Sequence, residues 1–313
     1  MSTLTADSRR AADVGAAPSL QERWQRFTGS ETFTAYLFLI VPLLILFAIK
    51  IYPVFYNVFL SFTNYDLFSP LEFVGLKNYR DVFGAEVNIK AIRNTILFAV
   101  GAVPIGTTLA LVVAGLLNQP IRGRILFRFL FYLPVITSVV VSAMIWRYIY
   151  SPQFGLLNYA IGFFGIPPQQ WLNDPSLAMP SLIIITIWGA LGGHMIIFLA
   201  ALQDVPNELR EAAAIDGAKG WQTYLYVVVP LLRPVILFVV VTYTIGIFRN
   251  FGLIFLLTQG GPQNTTNTLV WEVYQNAFGY LRFGRAAALA MVLLFTILVI
   301  TALNFRLLRE ENT

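Results

Sequence analysis

The chain runs to 313 residues, of which 57% are apolar and only 12% charged, against roughly a quarter charged in soluble domains. No soluble interior of this size hides so much apolar surface, so lipid is the solvent. Cys is absent and His194 is the one histidine, which excludes disulfides, thiolate metal sites and multi-histidine centres; the formal charge of +5 sits beside apolar segments and does not point to nucleic acid.

Residues 1–30 are polar, and no short apolar core with a small-residue cleavage site follows Arg9 and Arg10. They read as a cytoplasmic, largely disordered tail, with one interfacial turn at 21–27 that sets Trp24 and Phe27 on one side. Crossing a bilayer takes about 20 apolar residues. Six segments reach that length: 33–60, 92–117, 127–148, 179–202, 231–258 and 285–307. The expected fold is an all-α polytopic membrane protein, with residues 31–313 forming a six-helix transmembrane domain. Pro53 predicts a kink or tilt in the first span, where Lys50 snorkels towards the interface. Pro42, Pro104 and Pro134 predict static kinks.

Between the spans, the segment FVGLKNYRDVF at 73–83 reads as a turn followed by a short helix. Residues 151–180, rich in Pro, Gly, Asn and aromatics, read as a compact external loop. In the fourth span, Gly189 and Gly193 form a small-xxx-small pair suited to close helix approach. With Gly192 they also permit local unwinding, which lipid tolerates only beside a cavity or packed protein. Arg249 falls inside the fifth span, where a charge costs roughly 2.5–3.5 kcal/mol on insertion scales, so it is expected to face an aqueous cavity or a partner. Gly260, Gly261 and Pro262 then break that span.

The loop at 203–230 contains a polar island, EAAAIDGAKGWQTYLYVVVP at 211–230, between long apolar runs. Pro206 suits a first helical turn, Asp204 is placed to cap it, and Glu208 and Glu211 fall in early turns where negative charge is favoured. Gly217 permits a sharp reversal, so a helix–turn–helix is expected. With the N-terminus inside, inner segments hold Arg9, Arg10, Arg23, Arg26, Arg122, Arg124, Arg128, Arg210, Lys219, Arg233, Arg306 and Arg309. Outer segments hold Lys77, Arg80, Lys90, Arg93, Arg147, Arg282 and Arg285. The bias places both termini, and this loop, in the cytoplasm.

Glu211, Ala212, Ala213, Asp216, Gly217 and Pro230, taken in order, resemble the signature loop of permease subunits of ATP-binding-cassette importers. The segments FVGLKNYRDVF and FGLIFLLTQGGPQNTT (251–266) resemble the carbohydrate branch, the larger-permease family of maltose, glycerol-3-phosphate and lactose systems. The resemblance extends over nearly the whole chain, without the extra helices and large external domain of the maltose-type subunit. It implies the type I importer permease fold with six helices and a bacterial or archaeal cell membrane. It also implies a second, different permease, two copies of a cytoplasmic ATPase that bind the ATP and Mg, and an extracytoplasmic sugar-binding protein. No cofactor is expected on this chain. Glu211, Ala212, Ala213, Asp216 and Gly217 would couple to the ATPase. Arg249, Asn250, Tyr243, His194, Trp188 and Gly192 would line the sugar pathway. An acidic sugar or phosphodiester is an alternative substrate if Arg249 faces it.

No GxxxxGK[ST], GxSxG or HExxH occurs, so ATP hydrolysis is expected on another chain. A stand-alone secondary transporter or channel, with Arg249 as coupling or gating charge, is the alternative reading. It predicts internal symmetry with paired broken helices, and it leaves the 211–230 loop without a purpose. A membrane enzyme would need clustered His or carboxylates.

Overall fold

A computed structural model describes residues 31–308. The tail at 1–30 and its turn at 21–27 lie outside the described residues. Among the described residues no strand forms; one antiparallel bridge joins Thr63 to Phe73. The chain divides into two units, Met1–Asn57 and Val58–Thr313. The first is described through its helix, α1 (Glu31–Leu46), which continues by a wide π-type turn at Phe47–Ile51 into α2 (Tyr52–Leu60). Pro53, unable to donate an amide bond, directly follows that turn.

The second unit supplies α3 (Lys77–Gly84), α4 (Glu86–Leu117), α5 (Arg124–Ile136), α6 (Val139–Ile149), α7 (Leu156–Gly162) and α8 (Ala178–Gln203). It continues with α9 (Asn207–Ile215), α10 (Gly220–Thr223), α11 (Val229–Leu231), α12 (Arg233–Phe248), α13 (Gly252–Leu257), α14 (Leu269–Tyr274) and α15 (Phe283–Leu308). Four helices are long and apolar enough to cross a membrane, and two bent pairs bring the number to as many as six among the described residues.

The bent pairs modify two expected spans. The third is α5 and α6, set at 104°. Pro134 lies in the last turn of α5, and Ser138 leaves helical geometry while its hydroxyl accepts the Val141 amide at 3.3 Å, which starts α6. The fifth span begins earlier than expected, as Gly220–Leu231 and Arg233–Phe248 bent by 70°. It also ends earlier, because the helix stops at Arg249 and Asn250 before α13 restarts. Pro104, by contrast, sits inside an unbroken 32-residue α4.

In lipid the hydrophobic effect does not drive helices together, so close packing of small side chains must. Buried Ala99, Ala102, Gly106, Ala110 and Ala114 recur every three or four residues on α4 and make a seam against which α8 and α12 pack. Phe98, Leu182, Ile185, Ile247 and Phe248 fill one core above that seam, and Met195, Phe198, Leu199, Leu202 and Leu232 fill another below it.

The loop after α13 is pinned. Buried Asn94 on α4 donates to the carbonyls of Asn264 and Asn267, both at 2.8 Å, and Lys90 donates to Gln263 O at 2.6 Å. Glu272, buried in α14, accepts from Asn267 Nδ2 at 2.6 Å and Asn276 Nδ2 at 3.1 Å. A buried carboxylate without donors would be costly, and these two amides answer it.

Candidate functional site

Two places collect the singled-out residues. The first is α9 and its turn. Pro206 occupies the N-cap position, with extended backbone and no side-chain cap. Asp204 is not the cap expected of it: it ends α8. The far end closes tightly. Gly217 has φ +82°, the amide of Ala218 donates to Ala213 O at 2.9 Å, and that of Gly217 donates to Ala214 O at 3.1 Å. These bonds answer helix-end carbonyls within the chain, and only glycine adopts that conformation without strain.

Glu211, Ala212, Asp216 and Gly217 are exposed, whereas Ala213 is buried against the bundle. Ile215, which the sequence pattern did not single out, is 87% exposed beside Asp216. A bond fastens α9 to the membrane helices, Arg210 Nη2 donating to Leu202 O of α8 at 2.9 Å; beyond the turn, in the first arm of the bent fifth span, Tyr224 Oη donates to Leu111 O of α4 at 2.8 Å.

The second place is a cavity of about 380 Å³ in the second unit, walled by the α5–α6 elbow, α8 and α12. Trp188, His194, Tyr243 and Asn250 all line it, with Ser142 and Thr186. Asn250 Nδ2 donates to Thr186 Oγ1 at 3.3 Å. The His194 and Tyr243 rings lie 4.5 Å apart, and Trp188 meets Trp146 edge-on at 5.6 Å. His194 Nδ1 and Tyr243 Oη are buried without a hydrogen-bond partner among the described residues. No Asp, Glu, Lys or Arg stands among the lining residues.

Two of the singled-out residues lie elsewhere. Arg249 ends α12, is exposed, and does not line the cavity. Gly192 points away from it: a Cβ there would sit 2.2 Å from Phe131 O, so its lack of a side chain lets the α5 backbone touch α8. The expected glycine roles are therefore exchanged. Gly189 lines the cavity and has open space around it, whereas Gly192 is the packing glycine.

A family described as "Binding-protein-dependent transport system inner membrane component" matches residues 102–309. "Probable ABC transporter permease protein YesP" of Bacillus subtilis (strain 168) is 35% identical over 259 residues, 81% of this chain and 83% of its own. "Lactose transport system permease protein LacF" of Rhizobium radiobacter is 34% identical over 285 residues, 88% of this chain and 94% of its own. Among solved structures, a chain of a bacterial ABC transporter involved in the import of the acidic polysaccharide alginate aligns with TM-score 0.80 at 24% identity. That alignment covers 93% of this chain and 99% of the other, and it establishes a common fold.

Proposed function

Because this chain belongs to the binding-protein-dependent transport system inner membrane component family, we propose that it is the permease subunit of an ATP-binding-cassette importer for a neutral sugar. Both termini are cytoplasmic in this reading, with the α9 turn on the side where ATP is available. A second, different permease completes the pathway, an extracytoplasmic binding protein delivers the sugar, and two ATPase copies supply the energy.

The observation that carries the substrate class is the cavity. Aromatic rings at Trp188, His194 and Tyr243 offer faces for a pyranose. The hydroxyls and amide of Ser142, Thr186 and Asn250 offer neutral hydrogen-bonding groups, and no charged side chain lines it. The name of the lactose relative agrees with a neutral sugar. Arg249, on which an anionic substrate or a stand-alone transporter would depend, does not line this cavity.

In the mechanism, ATP binding draws the two ATPases together. Glu211, Ile215 and Asp216 pass that movement through α9, which Arg210 fixes to α8. The cavity then opens alternately to each side. The test is ATP-driven sugar uptake by the reconstituted complex carrying Glu211→Ala with Gly217→Pro. Uptake is expected to fall to background while the chain still inserts. Uptake equal to that of the unaltered chain would reduce the loop to a connector and remove the importer reading.

A further inference from the structure

From residue 148 to residue 173 the chain contains no Asp, Glu, Lys, Arg or His, a run of twenty-six residues bounded by Arg147 and Asp174. The segment that carries α3, at 61–85, is unlike it and bears Asp66, Glu72, Lys77, Arg80 and Asp81. The uncharged run connects two membrane helices directly, for α6 ends at Ile149 and α8 begins at Ala178.

This connection is ordered by its own polar groups, which point inward. Buried Asn158 donates to Gln169 O at 2.9 Å and accepts from the Gln169 amide at 3.0 Å and Trp171 Nε1 at 2.8 Å. Ser181 Oγ of α8 donates to Trp171 O at 3.1 Å, and Tyr150 stacks on Trp171 at 5.9 Å. The bulky apolar groups are left outside. Phe163 is 74% exposed and Phe164 84%, with Phe154 and Tyr159 exposed nearby. A groove of about 460 Å³ runs beside them, lined by Phe154, Leu156, Tyr159 and Pro168.

We propose that residues 151–171 lie in the interfacial layer of the bilayer, with Phe163 and Phe164 seated among lipid headgroups and the upper acyl chains. Aromatic side chains concentrate at that depth because an apolar body and a wet edge are both accommodated there. A surface that docks a soluble protein carries charges that steer association and release. This surface has none between 148 and 173, the exposed amide side chains of 151–171 being the neutral Gln153 and Gln170, and both ends of the segment are already tethered to membrane helices. The inference rests on the membrane spans and stands apart from the importer reading.

The chain has no cysteine, so Phe163→Cys and Phe164→Cys each give one labelling site in the full chain, assembled with cysteine-free partner subunits in lipid bilayers. Both side chains are exposed, so a nitroxide spin label displaces nothing buried. Arg80→Cys, at an exposed charged position of α3, supplies a water-facing reference. Collisional broadening by oxygen is expected to exceed that by a water-soluble nickel chelate several-fold at 163 and 164, with the order reversed at 80. Nickel-dominated broadening at 163 and 164 would put the segment in water and overturn the proposal. Exclusion of both reagents would put it against a protein partner and overturn it equally.

Discussion

At the residue scale, the two buried polar atoms of the cavity make the sharpest statement. Tyr243 Oη has no partner among the described residues, although its ring is tightly held, with Gly106 of α4 leaving room for it. A buried hydroxyl without a partner is costly unless something else meets it. Tyr243→Phe should therefore leave thermal stability unchanged or slightly higher. A clear fall in the melting temperature would show that the hydroxyl is met by a partner in the folded chain. Arg249 is the counterexample to reasoning from membrane cost alone. The cost correctly says that a charge inside a span needs a reason, but the helix stops at Arg249, and its exposed side chain leaves Asn250 to line the cavity.

At the element scale, helix ends and helix contacts decide the geometry. Gly192→Val pushes a side chain into the Phe131 carbonyl and should lower stability by about 1–3 kcal/mol, the usual cost of overpacking. Gly189→Val meets open space and should leave the melting temperature unchanged while narrowing the cavity. A thermal-shift comparison of the two in detergent separates them, and equal melting temperatures would contradict the exchange of roles. The spans themselves were legible from length and apolarity, as was the short helix at 77–84. What spacing did not reveal was direction. Glycines at 189, 192 and 193 share a turn of helix, and nothing in their order says which one meets another backbone. The elbow at 137–138 was hidden for a similar reason. Pro134 marked a kink, but the 104° bend depends on Ser138 capping the next helix, and a serine in an apolar run gives only a weak signal. Ile215 went unremarked because a single isoleucine carries no pattern, and only its exposure makes it informative.

At the scale of the whole molecule, α4 is the organising rod. Its upper part holds the 263–267 loop through Lys90 and Asn94, its middle carries the alanine seam, and its lower part receives Tyr224. Asn94→Leu strips two carbonyls of their donor, each worth about 1–3 kcal/mol when buried and unmet. A fall of several degrees in the unfolding temperature is expected, without change in ATPase association; an unchanged temperature would show that the loop is held by other means. The anchor of α9 on Leu202 has a mechanical consequence. It fixes α9 to the last turn of α8 through Arg210. Trp188 stands fifteen residues above Gln203, about 22 Å along α8 at 1.5 Å per residue. A tilt of about 10° at the Gln203 end would therefore sweep the Trp188 ring by about 4 Å, the thickness of a sugar ring, with the helix acting as a lever arm.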